Sequence, residues 1–124
     1  MSLLLDTSVL IDIQRRHAPA TAWLAKQQRT PLFASSITVF ELNVGADRSG
    51  TAQVIRRMLE AVSVIEVDAA MAEKAAGIFR RYAPSRGVDE FDALIAATAL
   101  VARLPLVTLN VKHFPGVKDV RKPY

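Results

Sequence analysis

Residues 2–11 read "SLLLDTSVLI": three leucines, one aspartate, then a second apolar run. The leucines suit a short buried strand, and an aspartate at its end suits the first position of a helix, where its side chain can accept a backbone N–H. The same alternation recurs along the chain. Short apolar runs at 3–5 (LLL), 31–35 (PLFAS), 62–67 (VSVIEV) and 104–109 (LPLVTL) alternate with stretches of helical period near 8–16, 18–28, 37–48, 51–61, 69–82 and 88–103. Strands separated by helices predict an α/β fold, a three-layer α/β/α sandwich around a mainly parallel sheet of four to five strands. "GVKDV" at 116–120 is the candidate for the fifth, a short edge strand. Pro19, Pro31, Pro84 and Pro105 are expected at the joins, where a missing N–H does least harm.

A chain of 124 residues, 51% hydrophobic with mean hydropathy +0.20, can bury a real core, and residues 1–124 are expected to form one domain. The absence of cysteine excludes disulfides and thiolate metal sites. No basic segment precedes an apolar one at the N-terminus, and the longest uncharged apolar run, Ala93–Ala102, is about half of the ~20 residues that a spanning helix needs. A soluble, cytoplasmic protein without a membrane partner is expected. Sixteen Lys+Arg against twelve Asp+Glu give a net charge of +4 and a pI near 9.9. That balance suits a polyanionic partner, or an ordinary solvated basic surface.

In a parallel sheet, ligands bind beyond the carboxyl ends of the strands. Asp6 lies at such an end and is a metal or catalytic candidate as well as a helix cap. Asp68, after "VSVIEV", reads as a cap. Asp92, in "VDEFDALIAATAL", shares a helical face with Val88, Ile95, Ala96 and Ala99, so its carboxylate falls in an apolar stripe. A lone buried charge costs several kcal/mol unless a partner, a proton or a metal compensates. The alternative is a salt bridge to a buried arginine, but no arginine or lysine occupies that stripe. Glu41, in "SSITVFELNVGA", has a capping-box spacing from Thr38 and would also lie at the edge of the sheet near Asp6. Three carboxylates converging there call for a cation. Oxygen donors with no cysteine and two histidines favour a hard ion, Mg²⁺ or Mn²⁺. Such ions act mostly on phosphates, activating water and neutralising developing charge.

"LLLDTSVLID" at the N-terminus, "SSITVFEL" a third of the way along, "FDALIAATAL" late and "LVTLNVKHF" near the end together resemble the PIN domain, and more narrowly its VapC-type ribonuclease toxins of toxin–antitoxin pairs. The resemblance spans nearly the whole chain. It implies a Mg²⁺-dependent endoribonuclease with Asp6, Glu41 and Asp92 at the positions of the family's first three acidic residues, Asp6 and Asp92 holding metal and Glu41 binding it or orienting water. It implies too an antitoxin that blocks the site, and a toxin homodimer; a pocket of unpaired carboxylates is a natural receptor for an arginine or lysine of that partner. One position departs: where many members carry a fourth acid after "TxN", this chain has His113. Either one metal suffices or Asp89, one turn before Asp92, helps to hold a second; Asp89 also reads as a solvated residue favoured by the helix dipole. His113 is a candidate phosphate contact or a turn cap. Ser8, Thr108 and Asn110 are candidates for orienting the acids and water, with turn roles as the alternative.

With Asp6, Glu41 and Asp92 set aside, sixteen basic residues oppose nine acidic ones, enough to attract RNA phosphates. The arginine pairs 15/16, 56/57 and 80/81 are candidates for that contact. No base-reading motif stands out, and Phe33, Phe40, Phe79 and Phe91 read as core. Two rival functions fit the alternating pattern. A receiver-type signalling domain would use Asp68 as phospho-acceptor, although "DTS" supplies one carboxylate where an acidic pair is expected and Asp92 has no reason to face inward. A PIN-like binding module without activity would follow from the change at His113.

Overall fold

In the computed structural model, which describes residues 1–46 and 50–124, five parallel strands form one sheet with six α-helices around it. The strands are β1 (Leu3–Leu5), β2 (Leu32–Ser35), β3 (Ser63–Ile65), β4 (Leu106–Val107) and β5 (Val120–Arg121). The helices are α1 (Thr7–Gln14), α2 (Ala18–Ala25), α3 (Ser36–Val44), α4 (Thr51–Glu60), α5 (Ala69–Arg86) and α6 (Glu90–Ala102).

The leucines of β1 show how the sandwich is built. Successive side chains of a strand point to opposite faces, and Leu3 and Leu5 enter one buried cluster while Leu4 enters the other. The first cluster also takes Leu32, Ala34 and Val107 and meets Val9 and Leu10 of α1 and Ile55 of α4. The second takes Leu106 with Met71, Ala75 and Ile78 of α5 and Ile95, Ala96 and Ala99 of α6. Leu4 and Leu5 are wholly buried, each contributing about 1.5–3 kcal/mol by leaving water. A strand apolar on both faces belongs in a parallel sheet covered by helices on both sides.

The strand order is β3-β2-β1-β4-β5. Connections run one way from β1 through β2 to β3, then cross back so that β4 lies on the other side of β1. The carboxyl edge between β1 and β4 is therefore the switch point, the crevice position where open parallel sheets bind ligands. Register is fixed by the pairs Leu4↔Leu106 and Leu5↔Val107, which puts Asp6 beside Thr108 across that crevice. Pro31 and Pro105, just ahead of β2 and β4, keep their carbonyls in use, accepting from Leu3 N–H and Leu4 N–H at 3.1 and 2.9 Å.

Three boundaries differ from the sequence expectation. Pro84 lies inside α5 rather than at a join, and the helix runs on to Gly87, whose φ of 67° provides the left-handed stop. The third helix is Ser36–Val44; the part of the expected 37–48 segment beyond residue 46 lies outside the described residues. The edge strand forms as Val120–Arg121, at the end of "GVKDV" rather than across it. The order also departs from the 2-1-3-4-5 arrangement of receiver domains, and Asp68 follows the edge strand β3, away from the crevice.

Candidate active site

A helix that connects parallel strands begins at the carboxyl edge of the sheet and returns to the opposite edge. The starts of α1, α3 and α6 therefore gather at one end. Asp6 is the residue before α1, Glu41 lies in the second turn of α3 and Asp92 in the first turn of α6.

Asp6 is 5% exposed and makes no capping bond to its own helix. Its Oδ2 instead accepts from Ser8 Oγ at 2.7 Å and Thr108 Oγ1 at 2.8 Å. Both hydroxyls are themselves held by main chain: Leu109 N–H donates to Ser8 Oγ at 3.2 Å and Asn110 N–H to Thr108 Oγ1 at 3.0 Å. The loop after β4 thus fixes the aspartate after β1 through two hydroxyls. Asn110 lies in that loop with its side chain exposed and engaged in no bond among the described residues.

Glu41 is held by a different hydroxyl. Thr7 Oγ1 lies 2.7 Å from Glu41 Oε1 and 2.9 Å from Thr38 Oγ1. The expected capping box between Thr38 and Glu41 does not form, because the helix begins two residues earlier and Ser35 is its cap, accepting from Ile37 N–H at 3.1 Å. Thr38 is buried and turned toward α1 instead. Burial pushes the Glu41 carboxyl above its usual range, and Asp6 and Asp89 add repulsion against the lowering effect of Thr7.

Asp92, its side chain 16% exposed, shares the inward side of α6 with Ile95, Ala96 and Ala99, as the helical period requires, and Val88 is buried just before the helix. The box at this helix start is made by Asp89 and Asp92: Asp89 Oδ1 accepts from Asp92 N–H at 2.7 Å, and Asp92 Oδ2 faces Asp89 N–H at 3.4 Å. Asp89 is exposed and is the helix cap. Two aspartates three apart before an apolar run were the available signal for this box. No arginine pairs with Asp92 among the described residues; the imidazole of His113 lies nearby, with Nδ1 at 3.6 Å from Asp92 Oδ2. The Asp92 carboxyl is raised to about 6, first by burial and then by Asp89, while the Asp89 backbone N–H and His113 oppose the rise and Asp6 adds to it.

One regularity runs through the three acids. Among the described residues each has one oxygen engaged (Asp6 Oδ2, Glu41 Oε1, Asp92 Oδ2) and a second that takes no hydrogen bond. Mutual repulsion and unused oxygens suit a hard cation. The chemistry of the donor set fits Mg²⁺ or Mn²⁺, although no three acidic or histidine side chains stand at ligating spacing among the described residues. An ion that keeps several waters needs one or two direct carboxylates.

Phe40 and Phe91 are not core residues. They are 53% and 38% exposed and pack on each other with ring centroids 5.5 Å apart, next in sequence to Glu41 and Asp92. Both occupy apolar sequence contexts, so nothing in the periodicity separates them from Phe33 and Phe79, which do pack against the buried cluster under α5 and α6.

Strand order and switch point are those of a PIN-type α/β/α fold, and the family model for the PIN domain matches residues 3–119. The chain belongs to the PIN domain family. Among curated relatives it is 36% identical to Ribonuclease VapC19 of Mycobacterium tuberculosis over 124 residues, covering 98% of each chain. It is 35% identical to Ribonuclease VapC10 of the same species, covering 98% of this chain and 92% of that one. A solved toxin–antitoxin complex from Klebsiella pneumoniae contains a chain that superposes with TM-score 0.83 at 32% identity, covering 98% of each.

Proposed function

We propose that the chain is an endoribonuclease of VapC type, the toxin of a toxin–antitoxin pair, with residues 1–124 acting as one nuclease domain in the cytoplasm. The observation that supports this reading is the gathering, at the carboxyl edge of the sheet, of the N-terminal ends of α1, α3 and α6, which carry Asp6, Glu41 and Asp92, each acid with one oxygen held and one unused. Full-length similarity to proteins named ribonucleases supports it.

Asp6 and Asp92 would hold the divalent ion, Mg²⁺ or Mn²⁺, with Asp89 as a lesser contributor. The ion, when bound, supplies Lewis-acid activation of water and neutralises charge at the phosphate. Thr108 and Ser8 keep the Asp6 carboxylate aimed, and Thr7 does the same for Glu41. Glu41, raised by burial, is placed to orient the attacking water and accept its proton. Water attacks phosphorus in line as Glu41 takes its proton, the phosphorus–ribose oxygen bond breaks, and the leaving oxygen takes up a proton from solvent. Asn110 and His113 line the approach on the β4 side. RNA is attracted by the arginine pairs at 15/16, 56/57 and 80/81, so affinity falls steeply and log-linearly with salt.

A pocket of carboxylates also receives a basic side chain, and the partner is an antitoxin that inserts one, displacing the ion or its waters. The toxin acts as a homodimer. The test is RNA cleavage by purified protein with and without Mg²⁺, beside growth on induced expression with and without the product of the adjacent reading frame. RNA left intact in Mg²⁺ and in Mn²⁺, with growth unaffected, would overturn the reading.

A further inference from the structure

Among the Lys, Arg and His side chains of the described residues, His113 is the one within 4 Å of Asp6, Glu41 or Asp92. Its Nδ1 lies 3.6 Å from Asp92 Oδ2, beyond hydrogen-bond range. Two donors each about 2.1 Å from one ion are themselves a few ångströms apart, so a small side-chain rotation brings both onto a shared cation. His113 can make that rotation, being half exposed at 50%, in a short turn, Val111–His113, with no buried side chain. The contrast with Asp6 is informative: two hydroxyls lock Asp6, whereas Asp92 Oδ2 has only a 3.4 Å main-chain contact besides the histidine.

Carboxylates alone serve Mg²⁺ and Mn²⁺ alike, whereas an imidazole adds preference for transition ions. We propose that His113 is a nitrogen donor to the divalent ion at Asp92, so that this chain prefers Mn²⁺ to Mg²⁺. The proposal rests on the reading of Asp6 and Asp92 as holders of a divalent ion. An imidazolium paired with Asp92 would act oppositely, competing with every cation, and a histidine that contacts only RNA phosphate would leave ion affinity untouched.

Calorimetry of the full chain with Mn²⁺ and with Mg²⁺, and pulsed electron paramagnetic resonance of bound Mn²⁺, separate these cases. The wild type is expected to show nitrogen modulation on Mn²⁺. His113→Ala is expected to lose that modulation and to weaken Mn²⁺ binding about tenfold or more, with Mg²⁺ changed by less than about threefold. His113→Asp, which adds an oxygen donor in place of the imidazole, should bind Mg²⁺ more tightly than the wild type and give no nitrogen signal. Absent modulation in the wild type, or equal losses for both ions in His113→Ala, would overturn the proposal alone. Failure of either ion to bind the wild type, or unchanged binding of both by Asp92→Asn, would instead remove the metal reading beneath it.

Discussion

Asp6 and Asp68 occupy matching places: each follows a parallel strand and precedes a helix in the extended conformation of a cap. Asp68 behaves as the local rule dictates, accepting from Met71 N–H at 2.9 Å in the open at the edge of the sheet. Asp6 leaves its own helix uncapped and turns to Ser8 and Thr108 instead. The preference for aspartate at a helix start is worth about 1 kcal/mol, and at Asp6 it is given up. A carboxylate that forgoes its capping bond, is buried, and is gripped by one hydroxyl of α1 and one from the end of β4 is being aimed.

The comparison is broken most severely by charge removal. Asp6→Asn keeps size and capping ability, so melting temperature in chelator should hold or rise as repulsion is relieved, while RNA cleavage should fall by about 100-fold or more as a metal-holding charge is lost. Asp92→Asn should behave alike. Full activity in either variant, measured beside melting curves with and without Mg²⁺, would return these residues to a structural role.

Removing the grip should cost less. Thr108→Val deletes a buried hydroxyl that serves both Asp6 Oδ2 and Asn110 N–H, leaving partners unsatisfied at about 1–3 kcal/mol. Thr108→Ser should recover most of it. Denaturant unfolding reads the stability and the cleavage assay reads the aim; a valine variant with wild-type activity would mean that Asp6 needs no such support.

A smaller effect concerns pH. The Asp92 carboxyl, raised to about 6 by burial and Asp89, binds its proton more tightly in the folded chain than in the unfolded one. Cation-free stability is therefore greatest below the unfolded value and declines as pH rises from about 4 to about 6, by on the order of 1 kcal/mol after solvent screening is allowed for. Asp92→Asn should flatten that slope, and an unchanged slope would place the proton elsewhere.

Asp68→Asn should show the smallest effect, within a few tenths of a kcal/mol in stability and with cleavage unchanged, because asparagine caps about as well. A large loss of activity there would erase the distinction from Asp6.

The leucines of β1, the apolar runs and the helical periods were enough for the α/β/α architecture, since burial on alternating faces is written in residue spacing. The inward face of Asp92 was legible for the same reason. Glu41 was harder: Thr38 stood at capping distance in sequence, but Ser35 took the cap and Thr7 took the carboxylate. Phe40 and Phe91 looked like core, yet their neighbours on α3 and α6 leave them at the surface against each other.

By itself the sequence determined the layers, the parallel sheet and the candidate acids, because periodicity and strand-end position are local properties. Strand order and register decided the rest. Placing β4 beside β1 set Thr108 on Asp6 across 102 positions, and the turn after β4 brought His113 to Asp92. Contacts between residues so far apart depend on which strands pair, and no short stretch of chain encodes that choice.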